Sequence, residues 1–152
     1  MKTPTPLVHR SPSAEYFFVE GCFITEWWNA PADGAVSVAR ARVKPGVTTR
    51  WHRLRGVTER YLILEGRGRV EVGDLPPEDV GPGAVVLIPP GVRQRIANPD
   101  DGDLLFLAIC TPRFTPAIYE DLGSDCGPHG VPRPKARIAT HQEDPAHEPH
   151  GT

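Results

Sequence analysis

The run Gly46-Val47-Thr48-Thr49-Arg50-Trp51-His52-Arg53-Leu54-Arg55-Gly56-Val57-Thr58-Glu59-Arg60-Tyr61-Leu62-Ile63-Leu64-Glu65-Gly66 decides how this chain folds. It is rich in β-branched and aromatic residues and is divided by glycines at both ends and in the middle, which suits strands joined by tight turns. In a strand, side chains alternate between faces, so His52 and Leu54 share one face, and Glu59, Tyr61 and Ile63 share another. Two strands that carry polar groups among apolar ones on a single face are the natural place for chemistry.

Outward from this run the same texture continues. Short β-rich runs recur at Cys22–Trp28, Val36–Val43, Thr48–Leu54, Arg60–Glu65, Arg67–Val72, Ala84–Ile88, Arg93–Ala97 and Leu104–Cys110. Turn-forming stretches such as Lys44-Pro45-Gly46, Gly81-Pro82-Gly83 and Pro89-Pro90-Gly91 separate them. With 15 Gly and 18 Pro among 152 residues there is little room for long helices, so the spacing predicts an all-β sandwich or barrel. A short helix is expected only at Pro116–Leu122, where Thr115 is placed to cap and Pro116 takes the first helical position. The expected organisation is an N-terminal arm at 1–21, a barrel domain at 22–122 and a disordered tail rich in Pro, Gly and His at 123–152. The tail holds His129, His141, His147 and His150 at spacings that match no compact metal site.

Charge and composition remove several function classes. Lys and Arg total 17 against 19 Asp and Glu, for a formal charge of -2, and the basic residues form no stripe, which speaks against nucleic-acid binding. The longest apolar stretch, Leu104–Cys110, is far short of the ~20 residues a membrane-crossing helix needs. The first residues lack an apolar signal region, and the three widely spaced cysteines Cys22, Cys110 and Cys126 suggest no disulfide framework, so a cytoplasmic protein is expected. Gly66-Arg67-Gly68 reads as a hairpin turn; with no dinucleotide or phosphate-loop fingerprint, no nucleotide cofactor is expected. Arg40 and Arg42 alternate with Ala39 and Ala41 and are expected on an outer, solvent-facing surface. Trp27, Trp28 and Trp51 are expected to pack in a core or interface, and Cys110 to be a small core residue.

The spacing of the central residues resembles the cupins, small β-barrels marked by two motifs. Gly46, His52, Glu59 and Gly66 reproduce the first motif, with Leu54 where the second histidine normally stands. Gly83, Pro89, Gly91 and Asn98 fall in register with the second motif, and Gln94 occupies its histidine position. The wider pattern is most similar to the small single-domain, mannose-6-phosphate-isomerase-like cupins. The resemblance implies a double-stranded β-helix, or jelly-roll barrel, to which the sequence adds the short C-terminal helix and the disordered tail.

It also implies a site. In typical cupins two histidines, the glutamate and the second-motif histidine hold one divalent metal, and here the corresponding set is reduced to His52, Glu59 and Gln94. An amide oxygen is a weaker donor than imidazole, so a divalent transition metal (Fe, Mn, Zn or Ni) and a metal-free hydrogen-bonded network are both open. Glu59 and Tyr61 are the candidate catalytic residues, and Glu26, Arg50, Leu54, Tyr61 and Cys110 the candidate pocket. The implied function is binding of a small organic molecule, either as a metal-dependent oxygenase, isomerase or decarboxylase or as a non-enzymatic sensor or accessory protein. Small cupins commonly pair through an N-terminal strand, and Tyr16, Phe17, Phe18, Phe23, Trp27 and Trp28 ahead of the first motif point to a homodimer.

Overall fold

Alternation sets the architecture. In Thr58–Glu65 every second side chain (Glu59, Tyr61 and Ile63) is buried while its neighbours are partly exposed, as expected of a strand with one face on a core. The computed structural model describes residues 3–10 and 12–123. Its strands are β1 (Tyr16–Phe18), β2 (Cys22–Trp28), β3 (Ser37–Val43), β4 (Trp51–Leu54), β5 (Thr58–Glu65) and β6 (Gly68–Val72). They continue with β7 (Glu78–Val80), β8 (Val85–Ile88), β9 (Gln94–Ala97), β10 (Leu104–Thr111) and β11 (Tyr119–Gly123). All pairings are antiparallel, in a six-stranded sheet ordered β1-β2-β3-β10-β5-β8 and a five-stranded sheet ordered β11-β4-β9-β6-β7.

The core lies between the two sheets, where Val43, Ile63, Ile88, Ile96, Leu104 and Phe106 are almost wholly withdrawn from water. The motif residues that carry no chemistry hold this frame. Asn98 donates to the carbonyls of Val43 and Gly102 and accepts from the Asp100 amide, and the Gly46 amide donates to the Asn98 carbonyl. Gly66 has φ +80°, and a Cβ there would lie 2.7 Å from the Asp103 carbonyl oxygen. Left-handed backbone and a clash against main chain act together, so Gly66→Ala is expected to cost more than about 2 kcal/mol, measured by denaturant unfolding. A loss within about 0.5 kcal/mol, the usual range for surface changes, would show that the turn relaxes freely.

Three features depart from the sequence expectation. The Pro116–Leu122 helix is only a 3-10 turn at Pro116–Ile118; the Thr115 side chain makes no cap, and the chain then extends into β11. So short a segment has little helical stability of its own, and pairing β11 with the open edge of β4 wins. Part of the expected arm, Tyr16–Phe18, is a strand paired with β2. Of the expected tail, Gly123 closes β11, and 124–152, with the four tail histidines, lie outside the described residues. Arg40 and Arg42 face outward and share Glu15. Trp51 packs with Leu122 beneath the guanidinium groups of Arg93 and Arg95, at 4.3 and 4.4 Å from its ring centre. Among the described residues no helix is long and apolar enough to cross a membrane.

Candidate functional site

The inner faces of β2, β3, β4, β5 and β10 line a narrow cavity of about 60 Å³ that opens to solvent. Aromatic and aliphatic side chains form its walls, among them Phe18, Trp28, Phe106 and Phe114. The polar groups come from specific strand positions. His52 on β4 faces Gln94 on β9 as a direct register partner, and Glu59 on β5 faces Cys110 on β10.

His52 is 2 % exposed, and its ring stacks on Tyr119 with centroids 5.3 Å apart. Its Nδ1 lies 2.9 Å from the Arg50 carbonyl oxygen, which can only accept, and this assigns the hydrogen to Nδ1. Its Nε2 lies 3.1 Å from Glu20 Oε2. One proton therefore sits across the Nε2–Oε2 contact, on the imidazole or on the carboxyl. Glu20 arrives from the β1–β2 turn, where its carbonyl accepts from the Arg50 amide at 2.7 Å and its Oε1 accepts from the Cys22 thiol at 2.9 Å.

Glu59 is 8 % exposed; the Cys110 thiol approaches its Oε2 at 3.5 Å, and its Oε1 has no hydrogen-bond partner. Burial raises the Glu59 carboxyl above its ordinary range, opposed by the nearby His52 and aided by the Glu20 charge. The Tyr61 hydroxyl donates to Gln94 Oε1 at 2.5 Å, and the Tyr61 ring packs on Phe106. Burial, then the Glu59 charge, pushes Tyr61 well above the usual phenol range. Cys110 is likewise raised, by burial and then by Glu59, so its thiol is a hydrogen donor and not a nucleophile.

A carboxyl whose folded value is raised adds stability fully below its unfolded value, near 4.5, and loses that contribution as pH rises through the folded value. Glu59→Gln removes this penalty. Its melting temperature relative to the natural chain is expected to climb between pH 4 and pH 7, and a flat difference across that range would show that Glu59 titrates as an exposed carboxylate does.

The expected site residues are distributed as follows. His52, Glu59, Tyr61, Leu54, Cys110 and Glu26 line the cavity. Gln94 is buried behind Tyr61, and Arg50 lies outside the lining, paired with Asp121. β4 begins only at Trp51, so Arg50 precedes the alternation that carries His52 and Leu54 to the cavity. Glu20 was not visible in the sequence, because it lies between strands, where no periodicity marks a face.

The donor set does not fit a resident metal. The His52 nitrogen free of the backbone is engaged by Glu20, Leu54 offers no donor, and Gln94 Oε1 is taken by Tyr61. Among the described residues no three His, Cys, Asp or Glu side chains converge to hold a cation.

Residues 39–110 match the family model described as Cupin domain. Comparison with curated protein sequences gives no match. Among solved structures the chain is similar to Streptomyces PAC13 with uridine, at 17% identity and TM-score 0.60, covering 72% of this chain and 83% of that one. Pac13 is described as a nucleoside dehydratase. A predicted oxalate decarboxylase from Thermotoga maritima is 24% identical with TM-score 0.60, covering 70% of this chain and 99% of that one. KdgF from Halomonas sp. is 14% identical with TM-score 0.59, covering 67% and 90%. Identities this low speak for the fold alone. The two-sheet barrel and the motif spacing agree with the family match, so the chain carries a cupin domain over residues 39–110.

Proposed function

We propose that the barrel binds a small organic molecule and moves a proton on it without a resident metal. The observation that carries this reading is the 3.1 Å contact of His52 Nε2 with Glu20 Oε2 at the wall of an apolar cavity. The Arg50 carbonyl fixes the imidazole, so either member of the pair exchanges a proton with a bound molecule without reorienting the ring. Glu59, across the cavity with an unpartnered oxygen, is the second acid or base. Tyr61, held by Gln94, orients the ligand or positions Glu59. Proton transfer of this kind serves an isomerisation or the elimination of water, and a dehydratase among the structural neighbours supports it.

The elimination of 5-nitrobenzisoxazole, an aromatic molecule that opens when a base removes its one acidic C–H, tests the reading. The natural chain is expected to accelerate ring opening above buffer, and His52→Ala or Glu20→Gln to lower the rate by a factor on the order of 100. Equal rates in all three proteins, or none above buffer, would overturn it.

The chain is also read as a homodimer in a reducing compartment, where the buried free thiols of Cys22 and Cys110 persist. Strand β1 is an outer edge of its sheet, and it exposes Phe17, followed by Val19, at 63% and 57%. A second copy that continues the sheet there covers both. Light scattering at micromolar concentration is expected to give twice the chain mass, and Phe17→Lys to return it to one chain. A monomeric natural chain would refute this.

A further inference from the structure

We infer that the cavity selects a small organic cation, an ammonium group on an apolar body, and rejects anions; this rests on the reading of the cavity as the ligand site. Its lining includes Glu20, Glu26 and Glu59 but neither Lys nor Arg. His52, the one basic side chain in the lining, is engaged with Glu20, so Glu26 and Glu59 face the interior with no lysine or arginine beside them in that lining. Neighbouring guanidinium groups are engaged elsewhere: Arg60 with the Thr111 hydroxyl, Arg40 and Arg42 with Glu15, Arg50 with Asp121, Arg53 with Glu120.

Glu59 supplies the independent sign of a ligand. It is 8 % exposed, it lines the cavity, and although the Gln94 side chain acts on the carboxyl, Oε1 is left without a hydrogen bond of full geometry, which is costly for a buried carboxyl unless a better donor is brought to it. An ammonium group has three donors and no acceptor, and so answers Glu59 where a carboxylate or phosphate would meet repulsion. The walls match the rest of such a molecule. Phe18, Trp28, Phe106 and Tyr119 present aromatic surface to an apolar body, and a cation over such rings is further attracted by their quadrupoles. Glu26, toward the Tyr16 side, gives entering cations a second carboxylate.

Three molecules of one shape and different charge test this: benzylamine, benzyl alcohol and benzoate, titrated calorimetrically at pH 7 into the natural chain, Glu26→Gln and Glu59→Gln. Benzylamine is expected to bind at least tenfold more tightly than benzyl alcohol, with no measurable heat from benzoate. Either substitution is expected to reduce the preference to less than threefold, while alcohol binding is kept. Melting curves confirm that the variants are folded. Equal binding of amine and alcohol, or tighter binding of benzoate, would overturn the charge selection and leave the cavity reading standing. Failure of all three molecules to bind would overturn both.

Discussion

A chain carrying Leu54→His, Gln94→His and Glu20→Ala is expected to take up one divalent transition metal ion in calorimetry, more tightly by a factor on the order of 100 than the same chain with Glu20 retained, for a buried pair worth about 3 kcal/mol. The argument is positional. His52 and Gln94 are register partners, Leu54 lies two residues beyond His52 on the same strand face, and Glu59 looks across the same cavity. Imidazoles at 52, 54 and 94 with the Glu59 carboxylate make a set suited to zinc or nickel. Glu20 is the obstacle, since it holds the His52 nitrogen that would turn to the metal. Gln94→His also removes the acceptor of the Tyr61 hydroxyl, so the metal-free variant is expected to lose about 1–3 kcal/mol, regained on adding metal. Equal affinity with and without Glu20 would show that the pair does not guard the site. A folded triple variant that takes up no metal would show that these positions do not converge on a cage.

Phe106→Ala is expected to lower unfolding free energy by about 3–5 kcal/mol, a large share of the stability of a domain this size. Phe106 is 2 % exposed, sits on β10 between β3 and β5, and packs its ring 4.4 Å from that of Tyr61. Alanine leaves a hole that rigid sheets on both sides cannot close, and it removes the wall against which Tyr61 is set. Phe106→Leu keeps most of the volume and is expected to cost about 1.5 kcal/mol or less. Urea titration of the three proteins checks both, and similar losses for Ala and Leu would mean that shape at this position matters less than the packing implies.

Much of the barrel was legible because its strands obey a period of two against one buried face. Residues 58–65 and 104–110 alternate almost without fault, and the glycines and prolines between strands lie where turns occur. The strands that were missed have no such face to show. β7 is Glu-Asp-Val on an edge, β1 exposes two of its three side chains, and β11 follows a turn that imitates a helix start. The site was half legible for the same reason. His52, Glu59, Tyr61 and Cys110 follow the alternation into the cavity, whereas Glu20 is placed by a turn and by a backbone contact with a residue thirty positions later, which no local pattern encodes.

The pairing of β11 with β4 also bears on the order in which this molecule comes into being. Glu20 leaves the ribosome early, and His52 and Glu59 follow, yet Asp121, the register partner of His52, and Tyr119, the ring on which it stacks, are translated last among these groups. β10, the strand between β3 and β5, also emerges late, so the six-stranded sheet stays in two halves until residues 104–111 are free of the exit tunnel, and the five-stranded sheet lacks its β11 edge until residue 123 is. Until then β3 and β5 present unpaired edges to whatever chain lies nearby. A nascent chain stalled before residue 104 is therefore sticky and without its cavity, and one released past residue 123 completes the cavity in the same step that closes the barrel.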